Sequence, residues 1–260
     1  MKPFPTSTVV LLACLCVGGC RSNLETVKPP HVDTEAARLD REERQQFDRL
    51  FNKGINCLKW ARLTEIRETQ LLKYKAPDSE ELMQTVRAQR LFLEQAEGCF
   101  REALRIAPNS MPAHQALCQA TAKLGKYDDA IEHGLLVLEK APSRMPIYRD
   151  VATAYQRKGG ELEGSERIKC YEKAVQIILE YAPRDGDRLN QAQMYAYMGE
   201  ICFELAKMLT GPDRIAQCDR IIRFVGGYLE QYPNNPFSKD MQAMVGIARD
   251  IKVGFEMGYE

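Results

Sequence analysis

The sequence predicts an all-α protein built from antiparallel helix-turn-helix units that stack into a solenoid, with one closing helix at the C-terminal end. Three observations predict this fold. Apolar residues recur every three or four positions, which is the spacing of one face of a helix. No segment shows the sustained alternation of apolar and polar residues that a half-buried strand would have. The chain also matches itself when it is shifted by 34 residues, and such internal repeats indicate a stack of similar units.

Composition and charge exclude several classes of function. The chain has 260 residues, of which 36 are basic and 36 are acidic, and this balance argues against nucleic-acid binding, which depends on a basic excess. The histidines are His31, His114 and His133. None has an acid or a cysteine at an obvious metal-ligand or triad spacing, and we expect His133 on the outer face of its helix. The sequence therefore predicts no catalytic residue, metal or cofactor, and a protein that is not an enzyme and has no small-molecule substrate.

Residues 1–19 form a predicted signal peptide. An apolar run from Val9 to Gly19 follows Lys2; it is too short to span a bilayer and is typical of a secretory signal. The run ends in Val17-Gly18-Gly19-Cys20, which resembles the lipobox of bacterial lipoproteins, with a plain signal peptide as the alternative. The resemblance implies that the chain is cut before Cys20 and that Cys20 carries fatty acids such as palmitate.

The same resemblance implies a place in the cell. In many enterobacteria an Asp directly after the lipidated cysteine retains a lipoprotein in the inner membrane. Arg21 stands at that position here, which favours the bacterial outer membrane, with the protein facing the periplasm. Residues 20–40 contain Pro29-Pro30 and no apolar periodicity, so they are predicted to form a flexible tether. Residues 41–260 are then the folded helical domain.

Two long helices are predicted to open that domain as an antiparallel pair, because a short break separates two apolar stripes. The break falls at Lys75–Asp78, where Asp78 is the expected N-cap of the second helix and Glu81 completes a capping box. The first stripe is Phe47, Phe51, Gly54, Leu58 and Ala61, and the second is Leu82, Val86, Leu93, Ala96, Phe100 and Ala103.

The internal repeat is most regular in the middle of the chain. A shift of 34 residues superimposes Ala96 on Ala130, Leu104 on Leu138, Ala107-Pro108 on Ala141-Pro142, Met111-Pro112 on Met145-Pro146, Ala120 on Ala154, and Gly125 on Gly159. This period and these residues resemble the tetratricopeptide repeat (TPR), a helix-turn-helix with small residues at the helix contact and a closing proline. The resemblance implies that the clearest copy is Met111–Arg144, with Pro142 ending it, and that the next copy begins at Met145.

The C-terminal third is predicted to hold a degenerate fourth unit and a closing helix. The fourth unit begins near Tyr195, breaks at Gly211-Pro212-Asp213 and ends at Pro233, and the closing helix runs from Ser238 to about Phe255. The segment from Tyr228 to Phe237 resembles repeats in the TPR lipoprotein of the outer-membrane barrel-assembly machinery. Together the resemblances imply a lipid-anchored envelope scaffold that binds envelope proteins or peptide segments without catalysis. An assembly or pilot factor for an outer-membrane machine is the alternative, and an enzyme's regulatory subunit is a further one.

The partner groove is predicted from the repeat register. In the TPR family the first helix of each unit lines a concave groove, and the residues that do not pack lie there. The expected groove residues are Gln115, Gln119, Lys123, Arg149, Thr153, Gln156 and Arg157. They make a mildly basic surface whose amides can bond an extended peptide backbone, or else a solvated helix face.

The cysteines are predicted to be buried thiols, because those beyond the tether lie in or beside apolar stripes and none forms a Cys-x-x-Cys motif. Two pairs stand at equal distances from a predicted turn and therefore lie close together in an antiparallel hairpin. These possible disulfides are Cys57 with Cys99 and Cys202 with Cys218.

Overall fold

A computed structural model describes residues 39–76, 78–140 and 147–258, and in these residues the secondary structure is helical throughout, without a strand. The helices are α1 (Arg41–Leu71), α2 (Glu80–Ile106), α3 (Met111–Lys123), α4 (Tyr127–Lys140), α5 (Ile147–Glu161), α6 (Gly164–Tyr181), α7 (Arg188–Met208), α8 (Gly211–Arg220), a π-helical segment (Ile221–Gly226), α9 (Gly227–Gln231) and α10 (Ser238–Glu256). Each helix packs on its neighbours in sequence, and α3 also contacts α1 and α5. The fold is an antiparallel, TPR-like helical solenoid with a C-terminal closing helix, as the sequence predicts.

Helix α1 begins at a complete capping box. The Asp40 carboxylate accepts hydrogen bonds from the backbone N–H groups of Glu42 and Glu43, and the Glu43 side chain accepts from the Asp40 backbone N–H. These bonds satisfy N–H groups that have no partner within the helix. The cap therefore fixes the first residue of α1.

Contacts between α1 and α2 establish that the two helices are antiparallel. Arg67 pairs with Glu81 near the turn, the Trp60 and Phe92 rings are 6.3 Å apart, and the Phe51 and Phe100 rings are 5.8 Å apart at the far end. Two finer predictions are wrong. The N-cap of α2 is Ser79 rather than Asp78, since Glu81 pairs with Arg67 and Lys75 instead of closing a box. Val86 is exposed, and Thr85 takes the buried position.

The buried residues of the central helices follow the 34-residue repeat. Ala96 and Ala130 are both fully buried, as are Ala120 and Ala154. Alanine at these positions lets the axes of neighbouring helices approach closely. The register of the repeat predicted from sequence is therefore the register of the packed core, although Pro142 and its neighbours at 141–146 lie outside the described residues.

The turns of the two central units differ. Gly125 has φ +78° between α3 and α4, a conformation that favours glycine and permits a tight connection. Its counterpart Gly159 is helical and contacts the Tyr171 ring, and the longer turn that follows is held by Arg167. The Arg167 guanidinium donates to the carbonyl oxygens of Gly159, Leu162 and Gly160, which satisfies the end of α5.

The C-terminal end departs from a regular repeat. Helix α8 begins at Gly211 with Pro212 in its first turn, so the predicted break is shorter and the Gly-Pro pair starts the helix. The π-helical segment that follows was not expected from the sequence. Helix α10 covers α8 and this segment with the buried side chains of Met241, Met244, Val245 and Ala248.

Candidate functional site

The first helices of the four units are α1, α3, α5 and α7, and polar side chains connect each of them to the next. We call this surface the first-helix face. The cross-helix bonds run from Lys123 to Glu65 (2.7 Å), from Gln119 to Asp150 (3.1 Å), from Arg149 to Asn190 (2.7 Å) and from Tyr197 to Gln156 (3.2 Å). Four of the seven predicted groove residues therefore take part in bonds between successive first helices.

The remaining predicted groove residues belong to the same two helices. Gln115 on α3 and Thr153 on α5 are half-buried, and Arg157 on α5 is exposed. Thr153 and Arg157 add polar surface beside the bonded network. Sequence reasoning missed the partners Glu65, Asn190 and Tyr197, since they lie outside the two clearest repeats.

Asp150 lies at the centre of the first-helix face, and its surroundings act on its ionisation in opposite directions. Burial raises the pKa of the Asp150 carboxyl. The amide of Gln119 and the charges of Arg149 and Lys123 oppose that shift. The carboxylate thus stands in a partly desolvated setting where hydrogen-bond donors surround it, and it can accept a further donor at its second oxygen.

The charge of the surface differs from the expectation of a mildly basic groove. Lys123 is neutralised by Glu65, and Asp150 lies between Arg149 and Lys123. The basic residues are therefore interleaved with acids instead of forming a patch. A surface of this kind favours a ligand that offers backbone amides and mixed charges over a strongly acidic one.

The cysteines in the described residues are buried free thiols. Burial, and then Cys99, raise the pKa of Cys57, so these two predicted partners lie close enough to interact. Burial raises the pKa of Cys202 to about 12, with Cys218 contributing in the same direction. High thiol pKa values disfavour the nucleophilic thiolate. The disulfides between these pairs stay a prediction.

The histidines of α3 and α4 face each other, so the expectation that His133 lies on an outer face is wrong. Nδ1 of His114 is 3.1 Å from Nδ1 of His133. His114 is buried and His133 is half-buried. Burial, followed by the nearby His114, lowers the pKa of His133. The missed signal was their placement on the paired helices of one hairpin.

Membrane-spanning helices and metal clusters are both absent from the part of the chain that the structure describes. None of its helices combines the length and the apolarity needed to cross a membrane. No group of three or more His, Cys, Asp or Glu side chains in it is arranged to hold a metal ion. Cys20 and the signal peptide lie outside the described residues.

Known proteins share little sequence similarity with this chain. No family model and no curated protein matches the sequence. Among solved structures, a thermophilic TPR protein from Thermus thermophilus is similar at 20% identity and a TM-score of 0.35. The match covers 60% of this chain and 90% of that chain. The helix pairing and the recurrence of buried alanines establish the repeat fold independently of this likeness.

Proposed function

We propose that the protein is a non-catalytic scaffold that binds an extended segment of another protein along the first-helix face. The observation that carries the proposal is the set of cross-helix bonds through Gln119, Asp150 and Arg149, which aligns polar groups from successive units on one surface. Each side-chain amide there has both donor and acceptor atoms. An extended peptide exposes both kinds of group along its backbone, so it complements such a surface.

The solenoid architecture supports binding rather than chemistry. Stacked repeats present an elongated surface, and repeat proteins use such surfaces for extended partners. Two basic side chains of α5 are suited to a partner's acidic or carbonyl groups: Arg149, which bonds the neutral Asn190, and Arg157, which is exposed. We infer that they contact carboxylates or carbonyl groups of the partner, so that binding weakens as salt is raised.

The test is a double charge reversal on the first-helix face. Arg149→Glu with Arg157→Glu should reduce the amount of partner recovered from envelope extracts at least tenfold. The matched control is Lys169→Glu with Lys173→Glu, which makes the same charge change at two positions of α6, away from the first-helix face. Both proteins should keep the parent's circular dichroism. Equal recovery of the partner by the parent and by the Arg149→Glu, Arg157→Glu variant would place the partner site elsewhere.

We also propose that the scaffold is lipid-anchored through Cys20 and works in the bacterial envelope, on the resemblance of Val17–Cys20 to a lipobox. Cys20→Ser should move the protein from the membrane to the soluble fraction and abolish incorporation of a fatty-acid label. Cys16→Ser is the matched control, because it removes a cysteine from the same segment and leaves the attachment site. Retention of the label after Cys20→Ser would place the anchor at another residue.

The identity of the envelope partner distinguishes two forms of this function. A general scaffold should recover individual proteins, whereas an assembly or pilot factor should co-purify with a large outer-membrane complex. The sequence resemblance of Tyr228–Phe237 to a barrel-assembly lipoprotein is the reason for the second form, which is the alternative to a general scaffold. Size-exclusion chromatography of the cross-linked, solubilised protein distinguishes them.

A further inference from the structure

Two imidazole rings meet in the interface between α3 and α4. His114 lies in the first turn of α3, and His133 lies in the second turn of α4. Their Nδ1 atoms are 3.1 Å apart, and the ring centroids are 5.0 Å apart with the planes inclined by 39°. A ring nitrogen from each helix is thereby directed to one small region of the interface.

The contact made by Nε2 of His114 fixes the protonation state of Nδ1 on the same ring. Nε2 of His114 is 2.8 Å from the backbone oxygen of Pro108, and a carbonyl oxygen can only accept a hydrogen bond. Nε2 therefore carries the proton, and neutral His114 presents a lone pair at Nδ1, towards His133. Histidines that bind metal ions commonly have such a backbone-carbonyl partner on the other ring nitrogen.

The separation of the Nδ1 atoms matches that of two ligands on one ion. Nitrogen ligands stand about 2.0–2.1 Å from a zinc-sized ion, so two of them at square or tetrahedral angles lie roughly 3 Å apart. The observed 3.1 Å already lies at that value. A hydrogen bond with one shared proton also has this distance between the two Nδ1 atoms. A bound metal ion and a shared proton therefore have to be distinguished by experiment.

Charges around the pair do not oppose a cation. Asp129 and Glu132 lie on α4 near His133, and the neighbouring base Arg101 of α2 is bonded to Asp129 and Glu97. The local carboxylates thus outnumber the guanidinium. His133 is half-buried, so part of the pair is open to solvent.

We propose that His114 and His133 form a two-nitrogen binding site for a divalent transition-metal ion such as Zn²⁺, Ni²⁺ or Cu²⁺. Imidazole nitrogen suits these ions. Since no third His, Cys, Asp or Glu of the described residues joins the pair, water fills the other coordination positions. The bound ion ties α3 to α4 and stabilises the hairpin that carries Gln119. This inference is independent of the proposed function, because it concerns different side chains.

The experiment is a calorimetric titration of the purified chain with Ni²⁺ alone, paired with thermal melts with and without Ni²⁺. The parent should bind one ion per chain and melt at a higher temperature with Ni²⁺, and EDTA should reverse the shift. His133→Gln should weaken binding at least tenfold and abolish the shift. His31→Gln is the matched control, because it removes the remaining histidine and should leave both results unchanged.

Several outcomes would overturn the site. Absence of saturable Ni²⁺ binding to the parent would mean that the imidazoles share only a proton. Equal affinity in the parent and in His133→Gln would place the ion elsewhere, as would loss of binding in His31→Gln. The metal-free melting temperature and circular dichroism of His133→Gln establish that it is folded. A second variant, His114→Gln, must lose the ion as well.

Discussion

Gly134 and Gly199 both lie where two helices approach closely, the first in the central repeats (α3–α6) and the second in the C-terminal end (α7–α10). A Cβ atom on Gly134 would overlap Cγ2 of Val151 and stand 3.1 Å from the sulfur of Cys118. A Cβ atom on Gly199 would stand 2.7 Å from Sδ of Met244. Valine is branched at Cβ and has one preferred rotamer in a helix, whereas methionine is flexible.

The difference shows how each region tolerates change. In the central repeats the close contacts join one repeat to the next through stiff side chains, so an error in one unit displaces its neighbour. In the C-terminal end the tightest contact of Gly199 is with Met244 of the closing helix, whose side chain can adjust. We therefore expect substitutions of the same kind to cost more in the central repeats.

The largest effect should come from overfilling the central helix contact. Ala130 is fully buried, and Ala130→Leu adds three carbon atoms where there is no space, which should cost about 3 kcal/mol. For a chain of this size the melting temperature of the folded domain should fall by roughly 6–12 °C. Ala216→Leu, at an exposed position of α8, is the control and should melt like the parent. An unchanged melting temperature for Ala130→Leu would mean that the repeat register is misassigned.

The next effect concerns the C-terminal end and depends on pH. Burial, followed by the charges of Asp240 and Glu204, raises the pKa of Glu200 from 4.5 to about 7. The folded protein then holds a proton that the unfolded chain releases, so this contribution to stability is complete below pH 4.5 and is lost as pH rises to about 7. Glu200→Gln should therefore be more stable than the parent at pH 8 by about 2 kcal/mol, after allowance for solvent screening.

Denaturant unfolding at pH 5 and pH 8 measures that effect. The advantage of Glu200→Gln should appear at pH 8 and shrink at pH 5. Glu102→Gln serves as the control, because Glu102 is exposed, pairs with Arg105 at the surface of α2 and is not among the charges that act on Glu200. Equal stability differences at the two pH values would contradict the assignment to a titrating Glu200.

Gly134→Ala should have a smaller effect than Ala130→Leu. Its new methyl group meets Val151 and Cys118, while alanine favours the helix over glycine by about 1 kcal/mol. The net loss should be about 1–2 kcal/mol, measured as the free energy of unfolding. Gly134→Ala combined with Val151→Ala should recover part of the loss, since the second change removes the clash. No recovery would show that Val151 is not the obstacle.

Gly199→Ala should have the smallest effect on stability. Its result is compared directly with that of Gly134→Ala. Met244 can move its sulfur, and the gain in helix preference offsets the remaining strain, so stability should change by less than about 0.5 kcal/mol. A loss as large as that of Gly134→Ala would remove the distinction between the two regions.

The sequence was sufficient for those parts of the fold that depend on local periodicity. The positions of Ala96, Ala130 and Ala154 follow from a repeat that is visible in the chain, and so does the closing helix. The face of each first helix follows in the same way, because residues that do not pack must lie elsewhere on the helix. For this reason the sequence predicts that Gln119 and Arg149 lie on one surface.

Features that depend on how two helices are rotated and shifted against each other were not predictable. His114 and Tyr148 are equivalent in the repeat and are both buried, yet Tyr148 donates a hydrogen bond to Asp185 while His114 meets His133. The start of α2 also depended on a tertiary contact, because Glu81 pairs with Arg67 instead of capping the helix. Periodicity describes one helix at a time and carries no information on such pairs.

The π-helical segment Ile221–Gly226 determines the direction in which the side chains of α9 point. Successive residues of an α-helix are about 100° apart around the axis, and a wide turn accommodates an extra residue. Tyr228 therefore points to a different side of the axis from the one it would occupy after an uninterrupted α-helix. In that direction its ring lies 4.9 Å from the Tyr195 ring, and its hydroxyl donates to the Arg188 carbonyl oxygen at 2.9 Å. One extra residue in the π-helical turn thus determines which side of α9 contacts α7.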